Sequence, residues 1–159
     1  MDSIGNRAGQ LNRNVEVGKY TCLVLNSTNY VGGVDVPSGA NVGAFAGVAM
    51  ESILPDGFND YVAGVYQIVS GTAWPANAVP SSALGRAIGY VTAGVVRVIT
   101  AAGTINVGDR LNIADSQGRV KTVNEVAGTT VYEVGEALLS STQANTVITM
   151  RITNVVRTV

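Results

Sequence analysis

The chain reads as an all-β protein, a small β-barrel or β-sandwich with an extended N-terminal arm. Three observations carry that reading. The 159 residues include 26 valines, and β-branched side chains pack better on a pleated sheet than against the preceding turn of a helix. Turn signals built from Gly, Pro, Asn and Asp recur about every 8–12 residues, the spacing of sandwiches and barrels. Several segments alternate polar and apolar residues with period two, and the Gly and β-branched content weighs against any long helix.

Length predicts one domain, with the arm over residues 1–18 and a single β-barrel domain over 19–159. The arm is polar and Asn-rich, with no helical or strand period. Lacking an apolar face, it is expected to become ordered only against a neighbour, and its removal to leave the barrel's melting nearly unchanged. A strand over residues 20–25 ends at the polar turn Asn26-Ser27-Thr28-Asn29. A short strand over 31–36 is interrupted by Gly32 and Gly33, and a turn over 37–41 follows. Residues 44–50 are small and apolar, with Gly43 and Gly47 at the spacing of a closely packed strand. A loop over 54–60 holds Pro55 and Gly57 and leads into a strand over 61–69.

The stretch 70–82 is the longest irregular one in the body of the chain and holds the single tryptophan, Trp74, before Pro75. Two strands over 86–92 and 95–100 flank Ala93-Gly94. In the second, Val96 and Val98 share one face, and Val95, Arg97 and Ile99 the other. Residues 109–114 alternate strictly. Asp115-Ser116-Gln117-Gly118 has Asp and Gly at the first and last positions of a type I turn, before a strand over 119–123. A strand over 130–138 is expected to bend at Gly135. The clearest alternation, over 146–153, puts Ile148, Met150 and Ile152 on one face.

Composition excludes much chemistry. There is no histidine, which removes the commonest general base and zinc ligand, and with them a Ser-His-Asp triad. The lone Cys22 can form neither an intrachain disulfide nor a multi-cysteine metal site, and its apolar strand predicts a buried, inert thiol. Ten basic residues balance eleven acidic ones for a net charge of -1, without the basic excess of a nucleic-acid binder. Charged residues make up 13%, about half the usual share.

Neither a phosphate loop nor a dinucleotide fingerprint is present. Asp56 with Asp60, or Glu133 with Glu136, would have to converge across a sugar to make a glycosidase; the loop acids read instead as solvated turn residues, and Glu133 and Glu136 would not share a face of one straight strand. Asp109, Asn112 and Asp115 lack calcium-loop spacing. The tyrosines read as core residues with their hydroxyls at the rim. The sequon Asn26-Ser27-Thr28 reads as a turn. The first residues have no apolar run of a signal peptide, and no stretch is long enough to span a bilayer. No enzyme is expected.

Residues 85–152 carry a recognisable order of motifs: Gly85-Arg86-Ala87-Ile88-Gly89-Tyr90-Val91, then Val95-Val96-Arg97-Val98 and Gly108-Asp109-Arg110-Leu111-Asn112-Ile113. The turn Asp115-Ser116-Gln117-Gly118-Arg119, the strand Val134-Gly135-Glu136-Ala137-Leu138 and an alternating strand at 147–152 complete it, and Gly47-Val48-Ala49 echoes the Gly135 segment. This order resembles the capsid decoration, or cement, proteins of tailed bacteriophages, over somewhat under half of the chain. The resemblance implies a small β-barrel, often a homotrimer, bound to the major capsid protein on the outer surface of the virion after assembly in the host cytoplasm. It implies no catalytic residue, cofactor or metal, and neither nucleic acid nor membrane as a partner.

Candidate contacts with the capsid or a neighbouring subunit are Asn6, Arg7, Asn12, Arg13 and Asn14 of the arm, whose amides and guanidinium groups can bond a partner's backbone or carboxylates, and Trp74. The alternative is a carbohydrate- or surface-binding β-module of a viral fibre or cell envelope, using Trp74 and Tyr61.

Overall fold

Alternation of apolar side chains builds this protein strand by strand. The computed structural model describes residues 5–13, 15–53, 60–62, 65–67 and 85–159, with 60–62 and 65–67 described as backbone only. Chain order gives β1 (Asn6–Gln10), β2 (Cys22–Leu25), β3 (Val34–Asp35), β4 (Phe45–Ala49), β5 (Asp60–Val62) and β6 (Val65–Gln67). These are followed by β7 (Ala87–Val91), β8 (Val95–Ile99), β9 (Arg110–Ile113), β10 (Val120–Thr122), β11 (Thr130–Ala137) and β12 (Val147–Thr158). Among the described residues there is no helix, and the all-β expectation holds.

Two five-stranded antiparallel sheets carry the fold, in the orders β1-β7-β4-β2-β3 and β10-β9-β11-β12-β8. Each curls until its edge strands approach. A parallel bridge from Leu11 to Val34 links the ends of the first sheet, and one from Thr100 to Val120 links those of the second. Curling of this kind hides edges that a weakly charged surface would leave open to pairing. The segment expected as one strand over 61–69 contributes two, β5 and β6, which pair with Tyr61 opposite Tyr66. Gly64, which weakens a strand interior, stands between them. The loop over 70–82 lies outside the described residues.

The core has two parts. Cys22, Val24, Phe45 and Val48 of the first sheet pack against Val96, Val98, Leu111, Ile113, Ile148 and Met150 of the second. Leu23, Ala46, Ala49, Ile88 and Tyr90, on the other face of the first sheet, gather with Leu11, Val17, Val34 and Ile53. All five residues of β4 are therefore buried, which explains why this strand is built from small residues. At Gly47 a Cβ would lie 2.6 Å from the Tyr90 ring. The expected inward faces of β8 and β12 are the observed ones, and β11 bends where expected, with a register shift between Glu133 and Gly135. Burial alone pushes the Cys22 thiol up to about 12, so it stays neutral and unreactive.

The arm requires a correction. Its described part is extended, but it belongs to the first sheet: β1 pairs with β7 from Asn6–Val91 to Gln10–Ala87. Leu11 and Val17 are fully buried. Sequence reading missed this because only two apolar residues, six apart, face inward, too few to make a period. Asn12 is buried too, and its side chain donates to the Asn26 carbonyl and accepts from the Asn29 amide at 2.7 Å. Arg13 pairs with the buried Asp35 at 2.5 Å. These groups anchor the segment between β2 and β3, and Asn12, buried there, does not face a partner.

Asn41 and Gly118 join the two halves. Asn41 holds a left-handed backbone (φ 50°), accepts from the Tyr132 amide at 3.0 Å and donates to the Thr130 carbonyl at 2.8 Å. Its side chain thus occupies an edge of β11 that no strand covers. The Asp115–Gly118 turn closes as expected, with the Gly118 amide 3.1 Å from the Asp115 carbonyl, and the Gly118 carbonyl accepts from the Cys22 amide at 2.7 Å.

Candidate interaction surface

A tight turn before β2 creates the most distinctive surface feature. The Gly18 carbonyl accepts from the Thr21 hydroxyl at 2.6 Å, which turns Lys19 and Tyr20 outward. Tyr20 sits at φ 68°, a conformation that side-chain-bearing residues adopt at a cost of about 1–2 kcal/mol. It is held there by both sheets: its amide donates to the Ala49 carbonyl at 2.9 Å, and its carbonyl accepts from the Ile99 amide at 3.0 Å. The Lys19 ammonium lies 5.0 Å from the centre of the Tyr20 ring, within cation–π range. Arg97 reaches the same place from β8, because the alternation that buries Val96 and Val98 turns it outward.

Together these residues rim a cleft of about 280 Å³ whose walls are Val48, Ala49, Met50, Val91, Val95 and Val96. Val95 and Met50 are well exposed. Among the described residues no carboxylate pairs with Lys19 or Arg97, whereas Arg13, Arg110, Arg119, Arg151 and Arg157 all have acidic partners. A second cleft, beside Glu16, Gln117 and Asn145, is different in kind, because its Arg119 is neutralised by Asp115 at 2.7 Å. The first cleft therefore combines two unneutralised cations with an apolar floor. That arrangement suits an extended segment carrying an acidic residue next to apolar ones.

The cations have a measurable consequence. Polar interaction with Lys19 first, and with Arg97 second, lowers the Tyr20 phenol below its ordinary 10.0. Tyr20 should thus ionise below the ordinary phenol value in an ultraviolet titration, and Tyr20→Phe should remove that early step. Because the folded-state value is depressed, the associated stabilisation is present above pH about 10 and disappears as pH falls through the lowered folded value; it is absent at neutrality. A titration whose early part is unchanged by Tyr20→Phe would contradict the geometry.

The remaining candidates are dispersed. Asn6 and Arg7 are exposed on β1, Asn12 and Arg13 serve the internal network, and Asn14 and Trp74 lie outside the described residues. Trp74 and the Tyr61 side chain, on which the carbohydrate-binding alternative rests, are likewise not described. Glu133 is buried and accepts from the Thr153 hydroxyl at 3.0 Å, while Glu136 lies 3.9 Å from Arg151, so each has its own partner. Asp109 accepts from the Asn106 amide at 2.8 Å and Asp115 serves its turn, as loop acids do. Among the described residues no cluster of acidic or cysteine side chains could hold a metal ion.

Sequence reading did not find the cleft. It assigned Tyr20 to the core, and nothing in the spacing brings Lys19 and Arg97 together over it. Compared with family models, curated proteins and solved structures, the chain matches none.

Proposed function

We propose that this chain is a decoration protein that binds the outer surface of a tailed-phage capsid and stabilises the expanded shell. The observation that carries the proposal is the ordered set of motifs over 85–152, which spans β7 to β10, all of β11 and the first half of β12. The all-β fold is compatible with it. The Lys19–Tyr20–Arg97 cleft supplies a contact site, and an acidic, partly apolar segment of the major capsid protein is its proposed occupant. A protein that binds only the assembled, expanded shell shifts the shell's equilibrium by mass action, and many copies act together.

The test is to mix purified protein with expanded shells of a tailed-phage major capsid protein, and to measure co-sedimentation and shell melting. Retention with a raised shell melting temperature is expected. Lys19→Glu with Arg97→Glu should weaken retention at least about tenfold, equivalent to about 1.4 kcal/mol, while leaving the protein's own melting near its original value. Failure of the unaltered protein to bind would overturn the proposed function. Binding that survives the double variant would instead overturn the cleft as the contact site.

A further inference from the structure

We propose that the outer half of β12 pairs edge to edge with the same segment of a second copy, about a two-fold axis through Val156. Backbone parity leads to this. The Thr146 carbonyl accepts from the Thr100 amide at 2.9 Å and the Ile152 amide donates to the Gly94 carbonyl at 2.9 Å, so even-numbered residues of β12 present their backbone groups to the β8 side. Beyond Ile152, β8 has ended, its last pair being Val95 with Arg151. On the other side β11 continues to pair, from Glu133–Val155 to Thr130–Thr158. Beyond the irregularity at Asn154 (φ 48°), the Val159 amide donates to the Thr129 carbonyl at 3.0 Å, so odd-numbered residues still face β11, and Val156 and Thr158 are left, among the described residues, with outward backbone groups that meet no strand. The result is a two-stranded ribbon, an arrangement that is marginal in water by itself.

Beyond the irregularity at Asn154, the ribbon's edge lacks the usual guards. It carries no Lys and no Pro, and Val155 and Val156 are 42% and 62% exposed. The one charged side chain on this half of β12, Arg157, is already engaged by Glu125 and, at 3.8 Å, by Glu133.

Parity and charge together select a second copy in one register. An antiparallel self-pairing must match outward residues with outward residues. Centring it on Arg157 would put two arginines directly opposite each other, which is unfavourable, and centring it on Val155 would bring Thr158 opposite Ile152, whose amide Gly94 already holds. Centring it on Val156 puts each Arg157 opposite a Val155 and each Asn154 opposite a Thr158, with no like charges facing. It also aligns Tyr132 and Val156, cross-strand neighbours within one copy, with their counterparts in the other, forming a continuous apolar row of four side chains. Such a self-complementary contact is what a two-fold, isologous pair requires.

The inference is independent of capsid binding, and the homotrimer implied by the resemblance is a competing outcome of its test. Cys22 is the only cysteine and is fully buried, so Val156→Cys introduces the one accessible thiol. Directly opposed residues of a hydrogen-bonded antiparallel pair have Cα atoms about 5.5 Å apart, within disulfide reach. Mild oxidation should give a covalent dimer at least about ten times faster than Val107→Cys, an equally exposed valine elsewhere. Sedimentation velocity should give a dimer mass at high protein concentration, and Val156→Lys should weaken that dimer at least about tenfold with melting at low concentration unchanged. A monomer or trimer mass across the whole range, or equal cross-linking of the two cysteine variants, would overturn the proposal.

Discussion

Deletion of residues 1–13 is expected to abolish cooperative folding. The deletion removes the whole β1 ladder against β7 and takes the fully buried Leu11 out of the core of the first sheet. It leaves the buried Asp35 without Arg13, and the Asn26 carbonyl and Asn29 amide without Asn12. Truncating a buried leucine alone costs about 2–5 kcal/mol, and each stranded polar group adds about 1–3 kcal/mol. These losses are comparable with the total stability of a typical domain, about 5–15 kcal/mol. The milder Leu11→Ala should remain folded and melt lower by about 5–20 °C, at about 2–4 °C per kcal/mol for a chain of this size. Calorimetry of the three proteins checks this. If the deleted chain melted cooperatively within a few degrees of the full chain, β1 would be an accessory to the sheet and the arm a detachable element after all.

Gly118→Ala is expected to be the most damaging single methyl addition in the turns, and its cause can be separated by a control. Gly118 lies at φ +74°, and a Cβ there would sit 2.9 Å from the Cys22 amide nitrogen and closer still to the Cys22 carbonyl oxygen. Both are backbone atoms of a central strand, so neither can swing away. The substitution pays for left-handed backbone, about 1–2 kcal/mol, adds an overpacking cost of about 1–3 kcal/mol and strains the bond between the Gly118 carbonyl and the Cys22 amide. The total should be about 3–5 kcal/mol, read by denaturant unfolding as a lowered midpoint with unchanged slope. Gly128 has nearly the same backbone angle, φ +78°, but no atom within 4 Å of a built Cβ. Gly128→Ala should therefore cost only the conformational part, about 1 kcal/mol. Equal effects at the two glycines would mean that the turn does not press on β2 and that the two sheets are joined elsewhere.

Most strands were legible because their information is local. The alternation of Val96 and Val98 with Arg97, or of Ile148 and Met150 with Thr149, needs only a buried face and an exposed one, and period two follows from the pleat. The Asp115–Gly118 turn was legible for the same reason, since its residues satisfy one another within four positions. The bend of β11 at Gly135 could also be read. The structure adds why: a Cβ there would lie 2.5 Å from the Met150 side chain of the neighbouring strand.

What the sequence by itself determined was thus the fold class, the inward faces of β8 and β12 and the absence of histidine-based chemistry. Which strands became neighbours was decided only in three dimensions. β7 and β8 are separated by three residues, yet they enter different sheets. β1 and β7, joined as neighbours, are more than seventy residues apart. A polar segment such as 6–10 gives no local sign of being a strand, because its partners supply the apolar surface and the hydrogen bonds that it lacks. The cleft has the same origin. Lys19 and Arg97 are ordinary surface cations along the chain, and they meet over one tyrosine because the backbone of Tyr20 ties β4 to β8. Pairing between distant segments depends on the loop entropy lost and the surface buried when the whole chain closes, and no window of sequence contains that balance.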